Sequence, residues 1–302
     1  MAHIGIVGGG NLGANTAFFL GERSVADVLI YDNREGLSTG KALDLMEAAP
    51  VRRYRVDIRG TDNPKDLKDC QVVIIAAGEV RKPGEQRSDL FARNKAIALE
   101  YAELLAGSKA VVIMATEPGD ALTALFTQKS GLPPEQVIGV GTGLDRTRLR
   151  YLIAEETGLL SQDINAVVIG SHDEHMVPLR RYTRVAGVPV DMLVGLERWE
   201  VLVAQLRAAG DRIIDLSQRS SSFYGPADAL AELAEAVVRD QHRILPVSTL
   251  LNGQYGLKDT AVSLPAVIGA GGVIKMLSPE LDEQEKALLQ AGAQGVATTL
   301  AS

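Results

Sequence analysis

The stretch HIGIVGGGNLGANTAFFLGERSVADVLIYD, residues 3–32, decides how this chain is read. An apolar run, HIGIVG (3–8), ends in glycines, and a helix-like segment, NLGANTAFFLG (11–21), follows at once. A second apolar run, ADVLIYD (26–32), closes on an acid. Strand, glycine turn, helix and strand form the start of a βαβ unit. Gly8, Gly10 and Gly13 fit G-x-G-x-x-G. In that pattern the first glycine makes a tight turn and the second lets backbone approach a phosphate. The third lets helix and strand pack closely.

The helix start, with Asn11 and Leu12 between the second and third glycines, adds N–H groups and a favourable dipole for phosphate. Asp32 would accept from ribose hydroxyls and repel a 2′-phosphate, which favours NAD over NADP. Taken alone, glycines also mark plain turns, and Asp32 beside Asn33 also reads as a turn residue.

Outward from this stretch the alternation continues. Apolar runs at 54–60, 71–78, 109–116 and 136–142 read as strands. Segments at 36–49, 88–107 and 120–131 read as helices. The strands are nearly continuous Val, Ile and Ala, the pattern of a parallel sheet covered on both faces. The expected class is therefore α/β, with a doubly wound parallel sheet of the Rossmann kind over residues 1–143. After that the order changes. A helix at 146–156 precedes strand-like stretches at 163–171, 176–187 and 188–190. Helices follow at 197–218 and 226–240, then strand-like stretches at 243–253 and 259–277 and a closing helix at 282–300. This predicts an α+β second domain over 144–302 that shares a broad, cleft-forming interface with the first.

Bulk properties narrow the class. The chain has 302 residues, 31 Lys and Arg against 38 Asp and Glu, and a net charge of −7. No basic cluster offers a footprint for nucleic acid or an anionic membrane. No apolar run reaches the ~18 residues of a membrane helix. A lone Cys70 allows no intrachain disulfide, which fits a reducing, cytoplasmic setting. No metal site is expected.

Three later stretches carry candidate chemistry. Arg81 and Arg87 flank a glycine–proline turn in EVRKPGEQRSD, just past the strand-like QVVIIAAG. Ligands of open α/β sheets bind beyond such strand ends, and a lid with two arginines suits carboxylates. A solvated basic turn reads equally well. In GTGLDRTRLR (141–150), Asp145 and Arg148 share a helix face, and a local ion pair would account for both. GSHDEHMVP (170–178) holds His172 and His175 at a strand end, where a histidine near an acid exchanges protons at neutral pH. A single such histidine is usually an ordinary one.

In combination these stretches say more. The glycine fingerprint, Asp32, RKPGxxR, GTxLDxxRLR and GxHxxxxVP occur in this order, followed by SSSFYGPA (220–227) and LPVSTLLNGQYG (245–256). Together they resemble the lactate/malate dehydrogenase family over essentially the whole chain, and RKPG is similar to its malate branch. The resemblance implies reversible hydride transfer between malate and NAD. It implies His172 as the base for the hydroxyl proton and Asp145 as the group that orients and stabilises it. Arg148 would bind the carboxylate beside the reacting carbon. Arg87 would polarise the carbonyl, and Arg81 would bind a second carboxylate, where lactate dehydrogenases carry glutamine. Asn94 joins Gly8, Gly10, Asn11, Leu12, Gly13 and Asp32 as a cofactor candidate. Family members form dimers or tetramers, and the apolar faces at 36–49 and 226–240 are candidate subunit contacts.

Two departures stand out. Where the family reads Thr-Asn-Pro, this chain has Thr116-Glu117-Pro118, which puts a carboxylate beside the substrate. Where it reads His-Gly-Asp, this chain has His172-Asp173-Glu174. They leave open a different 2-hydroxy acid, or an NAD-binding homologue with weak or absent turnover. His175, His3 and His242 are given no role.

Overall fold

Short Val/Ile/Ala runs form a parallel sheet because helices cover both of its faces. The computed structural model describes residues 3–80, 87–217 and 222–302. Its first half runs β1 (Ile4–Val7), α1 (Asn11–Glu22), β2 (Val28–Tyr31), α2 (Leu37–Arg52), β3 (Ile58–Thr61) and β4 (Val72–Ile75). It continues with α3 (Arg87–Leu104), β5 (Val111–Met114), α4 (Gly119–Ser130) and β6 (Val137–Gly139). These strands lie in the order β3-β2-β1-β4-β5-β6, all parallel. The order reverses between β1 and β4, so a crevice opens beyond their carboxyl ends.

Alternate residues face opposite ways. Val73 and Ile75 of β4 pack with Phe91, Ala98 and Ala102 of α3 and with Phe126 of α4. Val72 and Ile74 pack into a second core with Ala17 and Leu20 of α1. Every one of these strand residues is fully buried.

The second half runs α5 (Gly143–Thr157), β7 (Ile164–Asn165), β8 (Val168–Ile169), β9 (Val177–Pro178), β10 (Arg184–Val185) and β11 (Val188–Pro189). It ends with α6 (Leu196–Ser217), α7 (Tyr224–Val238), β12 (Arg243–Asn252), β13 (Lys258–Gly269), β14 (Gly272–Met276) and α8 (Glu283–Leu300).

Several expected elements differ. The run 163–171 is two strands, because β7 pairs with β10 while β8 pairs with β9 in another sheet. The run 176–187 is broken by a 3-10 turn at Arg180–Tyr182. The run 259–277 is a hairpin of β13 and β14; Gly272 sits at φ +96°, where a side chain would meet the Glu135 carbonyl at 2.0 Å. Helix α5 starts at Gly143 rather than 146, which places Asp145 in its first turn.

The larger difference is in how the halves join. β12 pairs antiparallel with β6, and β13 and β14 follow, so one nine-stranded sheet runs across the expected division at 143/144. Helix α7 packs on α1 within the chain, with Leu230, Ala234 and Val237 in the same core as Ile4 and Ile6. The apolar face at 226–240 is therefore taken up internally. On α2, Leu43 and Val51 remain exposed. A third core joins Leu149 and Ile153 of α5 to Trp199, Leu202 and Leu206 of α6. No helix among the described residues is long and apolar enough to cross a membrane.

Candidate active site

The crevice at the reversal point is a cleft of about 520 Å³. Gly10 to Leu12 after β1, Ala76 to Val80 after β4 and Met114 to Asp120 after β5 form one side. Arg148, His172 to Glu174, Arg207 and Ser222 from the second half form the other.

The glycines do what their spacing requires. Gly8 sits at φ +104°, where only glycine is at ease, and a Cβ there would lie 2.8 Å from the Ala77 backbone nitrogen. A Cβ on Gly13 would lie 1.9 Å from the Gly8 carbonyl oxygen, so helix and turn pack at contact. Gly10 meets nothing within 4 Å and faces the cleft. A pyrophosphate fits such an arrangement: open backbone at the second glycine, at the start of a 12-residue helix.

Asp32 directly follows β2, buried, and its Oδ2 accepts from the Gly9 N–H at 2.7 Å. The sequence reading passed over its neighbour. Arg34 donates from Nε to Oδ1 at 2.9 Å and from Nη2 to Oδ2 at 3.2 Å. Burial pushes the Asp32 carboxyl upward, but the hydrogen bonds from Arg34 and Gly9 outweigh it and hold the group below its ordinary value.

Asn94 is fully buried, and its place is behind the cleft wall. Its Oδ1 accepts from the Glu79 N–H at 2.8 Å, and its Nδ2 donates to the carbonyls of Glu79 at 3.0 Å and Glu117 at 2.7 Å. It ties the loop after β4 to the loop after β5. That spends its polar atoms on backbone, and it is not among the residues lining the cleft.

His172 Nδ1 lies 2.6 Å from Oδ2 of Asp145, which is completely buried in the first turn of α5. The other ring nitrogen, Nε2, lies 3.8 Å from Glu117 Oε1. The expected Asp145–Arg148 pair is also present, at 3.6 Å, so one carboxylate serves both readings. Arg148 further donates from Nη2 to the Ser222 hydroxyl at 3.2 Å. His175 turns to Asp173, 3.3 Å away, and is not among the residues lining the cleft.

Two residues that the sequence did not flag belong to this site. Asp120 accepts from the His172 N–H at 2.8 Å and fixes the backbone beneath the imidazole. Burial pushes its carboxyl up to about 6, against that hydrogen bond and the nearby imidazole. Arg207 of α6 lines the cleft while donating to the Met176 carbonyl at 3.2 Å. Neither carries a spacing signal: Asp120 sits in an ordinary helix start and Arg207 on an amphipathic helix.

Arg81 lies outside the described residues. Arg87 begins α3, and its side chain too lies outside them. Among the described residues, Asp173, Glu174 and His175 bring possible ligand atoms within 4.8 Å of one another. Asp173 is already engaged by the Ser171 hydroxyl and the His175 N–H. The altered His172-Asp173-Glu174 stretch thus forms a local hydrogen-bonded turn.

Residues 2–139 match the family model of the lactate/malate dehydrogenase NAD binding domain, and residues 142–300 match that of its alpha/beta C-terminal domain. The malate dehydrogenase of Thermomicrobium roseum is 40% identical over 97% of this chain and 95% of its own length. That of Bacillus cytotoxicus is 38% identical over the same shares. Among solved structures, the malate dehydrogenase of Cryptosporidium parvum superposes with a TM-score of 0.95 at 32% identity, covering 99% of this chain and 97% of that one. The lactate dehydrogenase of the same organism, complexed with lactic acid and β-nicotinamide adenine dinucleotide, superposes at 0.94 and 32%, covering 99% and 96%. By both family models and by near-complete alignment, the chain belongs to the lactate/malate dehydrogenase family.

Proposed function

We propose that the protein is an NAD-dependent malate dehydrogenase, interconverting malate and oxaloacetate. The observation that carries the reading is the 2.6 Å Asp145–His172 pair set in a cleft that also holds Arg148 and the glycine turn.

The chain's residues divide the work as follows. Gly8, Gly10, Asn11, Leu12 and Gly13 would hold the pyrophosphate of NAD, and Asp32 its ribose. When bound, NAD would supply the hydride acceptor for oxidation of malate at carbon 2 and, as NADH, the donor for the reverse. His172 Nε2 takes the hydroxyl proton as malate is oxidised and returns it in the reverse direction. Asp145 accepts from Nδ1–H, which fixes the ring's tautomer and stabilises the imidazolium that forms. Arg148, at the cleft wall, pairs with the carboxylate beside the reacting carbon. Asp120 holds the backbone from which the imidazole projects. Asn94 keeps the two loops flanking the nicotinamide position together.

Arg87 would polarise the carbonyl of oxaloacetate, and Arg81 would bind its second carboxylate. These two roles rest on the RKPGxxR resemblance. An arginine facing the methyl of pyruvate would lack a partner, which favours a dicarboxylate substrate over a monocarboxylate. Glu117 adds a negative charge near that substrate and weakens its binding relative to an asparagine.

The protein is further proposed to be cytoplasmic and to act as a homodimer or homotetramer, with no nucleic-acid or membrane partner. Burial pushes the thiol of the single cysteine, Cys70, up to about 11, so it is inert, which suits a chain without disulfides. The exposed Leu43 and Val51 on α2 support a subunit contact there.

The test is NADH consumption by the unmodified protein with oxaloacetate and, in parallel, with pyruvate. Turnover with oxaloacetate and little with pyruvate is expected. Equal rates, or pyruvate preference, would overturn the malate reading.

A further inference from the structure

A carboxylate at the end of the second strand binds the adenosine ribose by accepting from its hydroxyls. Here that carboxylate is covered. Each oxygen of Asp32 already receives two donors: Oδ1 from the Arg34 N–H at 3.1 Å and Nε at 2.9 Å, Oδ2 from Gly9 N–H at 2.7 Å and Arg34 Nη2 at 3.2 Å. The two partners are unlike in exposure. The Asp32 side chain is 6% exposed and that of Arg34 is 67% exposed. The cation therefore lies on the solvent side of the anion, where a group on the ribose would arrive.

The start of α2 shares this corner. A Cβ added to Gly9 would meet Asp32 Oδ2 at 3.5 Å and Leu37 Cδ2 at 3.6 Å. Helix α2 has no acid in its first turn and no cap from its own N-cap side chain, so its positive end is not offset from within the helix. The opposing charges nearby are Glu35, next in sequence, and Asp62, whose Oδ1 accepts from the Gly36 N–H at 3.3 Å.

An aspartate at this position rejects a 2′-phosphate by charge. Pairing with a guanidinium cancels that charge, and the guanidinium keeps donors suited to phosphate. We propose that Arg34 makes the dinucleotide site accept 2′-phosphorylated dinucleotides, NADP(H), alongside NAD(H). With NADP(H), the guanidinium stands between the phosphate and Asp32, and the start of α2 adds its dipole. With NAD(H), the guanidinium swings outward and Asp32 receives the ribose hydroxyls. The proposal rests on the cleft being the NAD site.

The test measures dissociation constants of NADH and NADPH by isothermal calorimetry on the full-length protein. Wild type, Arg34→Ala and Arg34→Lys are compared, with thermal melting as the folding control; an exposed side chain is expected to leave the melt unchanged. NADPH is expected to bind wild type within about thirtyfold of NADH, and Arg34→Ala to weaken NADPH by at least about tenfold, the scale of one charge-assisted pair. NADH binding should change less than about threefold, or tighten as Asp32 is uncovered, and Arg34→Lys should restore part of the NADPH affinity. Loss of both cofactors to the same degree would overturn the proposal, as would NADPH binding that Arg34→Ala leaves unchanged. NADH binding with no measurable NADPH binding would overturn it and leave the NAD site standing. Failure of both cofactors to bind wild type would instead overturn the reading of the cleft itself.

Discussion

At the residue scale, one imidazole is surrounded by three carboxylates with different tasks. Asp145 holds Nδ1, Asp120 holds the backbone N–H, and Glu117 stands 3.8 Å from Nε2. His172→Asn keeps a similar shape but cannot take the proton. Turnover should fall by at least about a thousandfold, the scale of a lost general base, while NADH still binds by fluorescence titration. Retained turnover would move the role to another residue. Glu117→Asn should raise kcat/KM for oxaloacetate by about tenfold, chiefly through KM, because a half-exposed carboxylate near a dianion costs on the order of 1 kcal/mol. An unchanged or lowered value would show that Glu117 is used rather than tolerated. Asp120 gives a pH signature. Its folded value of about 6 exceeds the ordinary 3.8, so the stability it contributes is present below about pH 4 and lost as pH rises through 6. Asp120→Asn should therefore be more stable than wild type at pH 7 by about 2 kcal/mol relative to their difference at pH 4. Urea melts at the two pH values decide it; a pH-independent difference would reject it. His172, Asp145 and Arg148 could be named as candidates because the order of the motifs resembles the family; their local spacing alone left an ion pair and an ordinary histidine open. Asp120 and Arg207 could not be, since each meets a partner that only folding supplies, and Arg34, two residues from Asp32, carries no motif that marks it.

At the scale of elements, strand-turn-helix units were legible where hydrophobic period and glycine agreed, as in β1 and α1. Boundaries drifted where tertiary pairing decides them: the apolar run 163–171 has one period but two partners, and becomes β7 and β8 in separate sheets. A partly buried clip shows such a decision in charge. Glu232 of α7 receives Arg146 of α5 and Arg243 of β12, each at 2.6 Å, so one carboxylate joins three elements from different parts of the chain. Burial pushes Glu232 upward, but the two arginines prevail and hold it below its ordinary 4.5. The stability it supplies is present above that value and lost as pH falls below it. Glu232→Gln should cost about 2 kcal/mol at pH 7, part of what breaking a buried pair removes, and less near pH 4. A cost that does not depend on pH would assign it to packing instead.

At the scale of the whole molecule, the class of the chain was legible, but the strand pairing that joins its halves was not. Composition and order separated a parallel first half from a mixed second half. Nothing in them shows that β12 would settle beside β6, because pairing of strands more than a hundred residues apart leaves no local mark. The site lies along the same seam, with the glycine turn and Glu117 on one side and His172 and Arg148 on the other. The continuous sheet has a consequence for recombination. A chimaera that takes residues 1–143 from this chain and the rest from a relative of about 38% identity inherits mismatched partners at the β6–β12 and α1–α7 contacts. It should melt well below both parents. Exchanges confined to one side of the seam, such as the small β7-β10-β11 sheet, should be tolerated. Lineages of this fold are thus expected to trade surface segments freely while inheriting the two halves as a single block.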